Sequence, residues 1–231
     1  MASVNNDRIA LTIQAIQNQI AEAAIRSGRN ANDCRLVAVS KTVGVEEIAQ
    51  AIKAGLCDFA ENRTDLFSAR QAQFPEVNWH FIGRIQTNKI KDFAGKAALV
   101  HSVASARALL GIDRRAEALQ QIQPVLIEVN VSGEDSKDGV TVDELPDLLS
   151  LASSLEHLTV EGLMTIAPIA SESTVRDCFR GLREIQNQMQ LLFVETPKIN
   201  LRELSMGMSD DFQIAVEEGA TIVRIGRSVW Q

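Results

Sequence analysis

Eight short apolar runs, separated by segments of helical periodicity, constrain this 231-residue chain more than any other feature. The runs are Leu36–Ser40, Asp58–Glu61, Trp79–Ile82, Ala98–His101, Val125–Val129, Thr159–Met164, Leu201–Ser205 and Thr221–Ile225. Between them apolar residues recur at helical spacing, as in Val45–Ala54, Ala104–Gln120, Val142–Ser153 and Thr174–Phe193. Strand alternating with helix implies a parallel sheet with crossover helices. Eight such units predict an α/β fold, a closed (β/α)8 barrel of the TIM type, whose usual length is about 250 residues. The alternative, a doubly wound open sheet, carries GxGxxG after its first strand. Here the first run continues Val39-Ser40-Lys41-Thr42-Val43-Gly44, without that pattern, and no Walker-type loop occurs. Residues 7–27 read as one amphipathic helix ahead of the repeat, with Ile9, Ile13, Ile16, Ile20, Ala23 and Ala24 on one face and Gly28 as its stop. The five prolines are scattered and no linker interrupts the pattern, so residues 1–231 read as one domain, with residues 1–28 part of it.

Composition narrows the function classes. Hydrophobic residues make up 45% and charged residues 23%, a globular balance. A net charge of −7 argues against wrapping a nucleic acid, which needs a surplus of Lys and Arg. Cys34, Cys57 and Cys178 are widely spaced, form no CxxC or Cys/His cluster, and point to buried thiols in a reducing compartment, not to zinc. The start MASVNNDRIA lacks the basic and apolar regions of a signal peptide, and no apolar stretch reaches the length of a membrane span, so a cytoplasmic location is expected. The chain has no tyrosine, which excludes mechanisms that need a tyrosine base from it.

In parallel barrels chemistry sits where strands end and loops begin. Lys41 follows the first run, Glu61, Asn62 and Arg63 close the second, His80 lies in the third, and His101 and Ser102 end the fourth. Asn130 follows the fifth, and Met164 and Thr165 end the sixth. Ser205-Met206-Gly207-Met208-Ser209-Asp210-Asp211 follows the seventh and Arg224-Ile225-Gly226-Arg227-Ser228 closes the eighth. Barrel phosphate sites are often built by the loops after strands seven and eight. Ser205, Gly207 and Ser209 offer hydroxyls and close backbone approach, and Gly226 lets backbone N–H groups face an anion; ordinary turn chemistry explains the same residues equally well. Ser209 and Asp210 resemble N-caps for a helix over Asp211–Glu218, and the paired Asp210 and Asp211 read as helix-start residues, not a catalytic pair.

Lys41 tips this balance. An amine held partly out of water at a barrel mouth attacks aldehydes. An amine facing a phosphate site selects an aldehyde that carries a phosphate, and pyridoxal 5′-phosphate (PLP) is that molecule. Arg224, two residues before Gly226 and on the same face, is read either as a partner of the pyridine nitrogen, where a fixed cation disfavours protonation and weakens the ring as an electron sink, or as an arginine paired with a helix carboxylate. Asn62 is read as a partner for the ring oxygen or a cap for the helix near Thr64. His80 is read as a wall residue or a satisfied core histidine.

The segments Val39-Ser40-Lys41-Thr42, Glu61-Asn62, Trp79-His80-Phe81-Ile82-Gly83, Gln86-Thr87-Asn88-Lys89, Gly162-Leu163-Met164, Ser205-Met206-Gly207-Met208-Ser209-Asp210-Asp211 and Val223-Arg224-Ile225-Gly226 occur in this order and resemble the pyridoxal phosphate homeostasis (YggS/PROSC) family along essentially the whole chain. The resemblance implies a barrel related to the N-terminal domain of alanine racemase and a PLP Schiff base on Lys41. It implies cofactor contacts from Asn62, His80, Met164, Ser205, Met206, Ser209, Arg224, Gly226 and Arg227. It also implies a monomer without firm enzymatic activity that serves vitamin B6 supply, with apo PLP-dependent enzymes as recipients. The competing reading, a PLP-dependent racemase-like enzyme, needs acid and base groups on opposite faces of the cofactor, and only His80 remains as a partner to Lys41. The sequence departs from the family pattern at Ala60 and Arg63 beside the Glu-Asn pair, at Arg84 where proline is common, and at Arg227 where threonine is common, so that Arg227 or Ser228 takes the place of the usual hydroxyl. The chain stops at Gln231, so a short final helix and a more open phosphate corner are expected.

Overall fold

The computed structural model describes residues 2–134 and 137–231, with only the helical backbone for residues 2–7. Its strands are β1 (Arg35–Val39), β2 (Asp58–Glu61), β3 (Asn78–Phe81), β4 (Leu99–Val103), β5 (Gln123–Glu128), β6 (Leu158–Met164), β7 (Ile199–Ser205) and β8 (Ile222–Ile225). All pair in parallel with their sequence neighbours, and β8 returns to β1, closing the barrel. Around it run α1 (Ala2–Arg26), α2 (Val45–Lys53), α3 (Thr64–Gln73), α4 (Ile90–Phe93), α5 (Ala106–Ala118), α6 (Leu145–Ser153), α7 (Glu172–Leu192), α8 (Phe212–Glu217) and α9 (Arg227–Trp230). The expected barrel and the order of its eight strands are both present; strand ends differ from expectation by one or two residues.

The alternation of strand side chains divides the interior into two layers. Val37, Val39, Ala60, Leu99, Leu126, Met164 and Ile222 meet inside the barrel, joined by Ile82. Leu36, Ala38, Phe59, Trp79, Phe81 and Val100 face outward and pack under the helices. There Phe81 stacks on Phe93 with ring centroids 4.1 Å apart. Each phenylalanine of this layer, fully removed from water, contributes roughly 1.5–3 kcal/mol of hydrophobic stabilisation.

The helix before the barrel buries its predicted face: Ile9, Ile13, Ile16, Ile20, Ala23 and Ala24 are all buried. Gly28 ends it in the left-handed region (φ +77°), where Arg29 N–H reaches back to the Ala24 carbonyl at 2.9 Å. At the other terminus Trp230 donates its indole N–H to the Val39 carbonyl at 2.8 Å. The short final helix is therefore fastened to the end of β1, next to the turn that bears Lys41. No helix among the described residues is long and apolar enough to cross a membrane.

Candidate functional site at the barrel mouth

The β1–β8 seam assembles the site. Ala38 registers with Ile225, so the chain following β1 and the chain following β8 leave the barrel side by side. An added Cβ at Gly226 would meet Val39 at 3.5 Å, an ordinary contact, so protein packing does not demand glycine there. Gly207 is different: φ is +92° and a Cβ would lie 2.6 Å from the Ala215 methyl. Only glycine allows the loop after β7 to fold this closely over α8.

The turn that carries Lys41 is anchored from outside the barrel. Arg70, on the buried face of α3, donates to the carbonyls of Ser40 (2.7 Å) and Val43 (2.5 Å). It also forms an ion pair with Glu61, a fully buried carboxylate at the end of β2. Glu61 in turn accepts the Ser40 hydroxyl at 2.5 Å. Lys41 itself is exposed, and its amine forms no hydrogen bond or ion pair among the described residues. Lys41 is thus solvent-exposed in this structure, where partial withdrawal from water is the sequence expectation.

Arg224 is buried inside β8. It donates to Ser205 Oγ at 2.6 Å and to the Thr165 carbonyl at 3.1 Å. Burial pulls its pKa down to about 10, against the opposing charges of Glu128 and Asp211. Glu128, at the end of β5, is pushed up to about 7 by burial and by the charge of Asp138, with Arg224 and Arg84 acting in the opposite direction. A cavity of about 300 Å³ opens beside it, lined by Arg84, Ser102, Glu128 and Lys137.

Several expected contacts are relocated by the structure. His80 is a core residue: its ring nitrogens face Asp58 (3.1 Å) and His101 (2.8 Å), so neither remains for a ligand. The Ser205 hydroxyl points inward to His101 and Arg224, which leaves Ser209 as the loop hydroxyl without a hydrogen bond among the described residues. Met206 is fully buried beneath the helices, so only its backbone borders the mouth, whereas Met164 faces the barrel interior. Arg227 is held by both oxygens of Asp210 at 2.6 and 2.7 Å, which occupies its charge at the surface. Ser228 is half-buried. Asn62 is exposed and caps nothing, since the residue before α3 is Arg63; the backbone of Asn62 lies against Gly83, where any Cβ would collide with its carbonyl. The helix cap expected at Ser209 or Asp210 falls at Asp211, whose carboxylate accepts the Met208 N–H at 2.6 Å.

Arg70, His101 and Glu128 were given no role by sequence reasoning. Arg70 had a signal: it lies three residues after Phe67, at an apolar position of α3, where an unpaired charge would not be stable. His101 and Glu128 acquire meaning only from partners on distant strands.

A parallel eight-stranded barrel with a free lysine past β1, a buried arginine on β8 and a glycine-bearing loop after β7 defines a class, and the family model for the N-terminal domain of alanine racemase matches residues 11–230. Within it, the chain is 41% identical over 223 residues to the pyridoxal phosphate homeostasis protein of Aquifex aeolicus, covering 95% of this chain and 94% of that one. It is 38% identical over 225 residues to the protein of the same name from Pseudomonas aeruginosa, covering 96% and 94%. The structure of PipY from Synechococcus elongatus with PLP bound matches with a TM-score of 0.79 at 31% identity, covering 92% of this chain and all of that one. The chain belongs to the pyridoxal phosphate homeostasis protein family.

Proposed function

We propose that this protein binds PLP at the barrel mouth, with Lys41 as the covalent attachment point, and holds the cofactor for delivery to apo PLP-dependent enzymes without turning over a substrate of its own. The observation that carries this reading is the β1–β8 seam, which brings the chain leaving β1 toward Lys41 alongside the chain leaving β8 at Gly226, in a protein whose structural neighbour PipY is described with PLP bound.

The residues present fit the cofactor. Gly226 leaves space that no protein atom needs, Gly207 allows backbone N–H groups to approach closely, and Ser209 has an unengaged hydroxyl among the described residues. The phosphate is assigned to the loop from Met206 to Ser209 and to Gly226, with Ser228 and the Asp210-paired Arg227 at the edge. Met164 and Asn62 border the ring, and Arg224 faces the pyridine nitrogen. Bound PLP supplies an aldehyde and an electron-withdrawing ring. Arg224, as a fixed cation, keeps the ring nitrogen unprotonated and so limits that withdrawal.

Absence of turnover is supported by the chain's own groups. The sequence has no tyrosine, and both ring nitrogens of His80 are engaged inside the core. Neither a tyrosine nor His80 is then available as the second base that a racemase pairs with its lysine. We place the protein in the cytoplasm as a monomer, which gel filtration tests.

Lys41→Ala is expected to abolish the yellow colour of the purified protein, and borohydride reduction followed by peptide mass mapping should locate the label on Lys41. A coloured Lys41→Ala protein would remove the assignment. Timed transfer of PLP to an apo-enzyme tests delivery, whereas rapid conversion of an amino acid by tag-free protein would replace the holding role with an enzymatic one.

A further inference from the structure

Five side chains cross the barrel interior as one hydrogen-bonded chain. Asp58, at the start of β2, is 3.1 Å from His80 Nε2. His80 Nδ1 is 2.8 Å from His101 Nε2, and His101 Nδ1 is 2.8 Å from Ser205 Oγ. Ser205 Oγ accepts from Arg224 at 2.6 Å. His101 on β4 and Ser205 on β7 are three strands apart, so their contact must span the interior. His80, His101, Ser205 and Arg224 are all buried. Asp58 is half-buried and, with His80, lines a cavity of about 250 Å³ at the N-terminal end of the barrel, opposite the mouth.

The two ends give this chain a direction. Arg224 has no acceptor, so its N–H donates to Ser205, whose own hydroxyl proton remains for His101 Nδ1. Burial raises the Asp58 carboxyl, but the hydrogen bonds it accepts from His80 and Asn78 outweigh that and hold it low. As a carboxylate it accepts from His80 Nε2. Burial keeps His101 neutral, well below the usual histidine range, and the charges of Arg224 and Arg35 act in the same direction. With His80 neutral, His101 donates through Nε2 and accepts through Nδ1, and every donor meets an acceptor. One added proton on His80 reverses this: its Nδ1 must donate, His101 must take the Nδ1–H tautomer, and Ser205 Oγ must then accept from both Arg224 and His101.

We propose that His101, backed by His80 and Asp58, is a positioning residue for the cofactor-facing Arg224, setting how firmly Ser205 holds the guanidinium and linking that hold to proton occupancy at the opposite end of the barrel. The other charged groups facing the chain are Arg35 on β1, Glu161 on β6 and Glu203 on β7 around the N-terminal cavity, and Glu128 and Asp211 near Arg224. Arg35 pairs with Glu203 at 2.6 Å, and Asp58 is the acceptor in direct contact with His80. The proposal rests on the reading that Arg224 meets PLP.

The test combines nitrogen NMR of the histidine side chains in the full-length protein with PLP affinity as a function of pH. At about pH 8, where free histidine is neutral, His101 is expected as the Nε2–H tautomer. His101→Phe should weaken PLP binding by up to about tenfold, the upper end for one net hydrogen bond, and flatten the pH profile. Asp58→Asn, which leaves the mouth intact, should move the midpoint of that profile. An Nδ1–H tautomer or a cationic His101 at that pH, measured on the parent protein and so independent of whether variants fold, would overturn the relay even with PLP bound. Affinity–pH profiles of both variants superimposable on the parent would overturn it equally. A parent protein that binds no PLP would instead remove the cofactor reading, while the tautomer measurement still judges the chain.

Discussion

Arg70 on α3 donates to the Ser40 carbonyl at 2.7 Å, and through that contact a helix on the barrel exterior fixes the turn that presents Lys41. The same guanidinium reaches the Val43 carbonyl and the Glu61 carboxylate, so both ends of the turn and the neighbouring strand share one anchor. The amine gains placement without being covered.

Arg70→Ala therefore has two expected effects. It leaves Glu61 as an uncompensated buried charge, which costs about 3–5 kcal/mol of stability. It also frees the Lys41 turn and weakens PLP binding. Urea denaturation and cofactor titration measure the two. Arg70→Lys should rescue little, because an ammonium cannot bridge three acceptors with a planar fork.

Gly207→Ala places a methyl against Ala215 at a backbone angle that L-residues rarely adopt. A loss of about 2 kcal/mol or more is expected, since overpacking and backbone strain act together. Calorimetric melting checks the stability, and PLP titration checks whether the loop after β7 contributes to binding.

Glu128 predicts a pH dependence of stability. Its folded pKa of about 7 lies above the ordinary carboxylate value, so the folded protein keeps this proton to higher pH than the unfolded chain does. Its contribution is fully present below the unfolded pKa and is lost as pH rises through about 7, by roughly 3 kcal/mol in total. Glu128→Gln should flatten that part of the curve and stabilise the ligand-free protein on the alkaline side. Denaturant midpoints across the range would expose a failure as parallel curves.

The cysteines should separate by reactivity. Burial pushes Cys34 up to about 12 and also raises Cys178, whereas Cys57 is exposed. Iodoacetamide is expected to label Cys57 alone in the folded protein and all three in denaturant, read by peptide mass spectrometry. Rapid labelling of Cys34 under native conditions would contradict the burial of the β1 entry.

The barrel was legible in the linear pattern because each strand and helix declares itself locally, by runs and periods that need no distant partner. Asp58–Glu61 was read to the residue, and the face of α1 was read position by position. Lys41, Arg224 and Gly226 were legible as strand-end residues for the same reason. Side-chain partners could not be read where the deciding residue lies far along the chain. Of the two readings of His80, the core histidine holds because Asp58 and His101 take both of its nitrogens, and the Ser205 hydroxyl turns inward because His101, 104 positions away, accepts it. Local periodicity thus set the elements by itself. Only closure of the barrel, which brings strands distant in sequence across one narrow interior, decided which polar groups satisfy each other and which remain free at the rim.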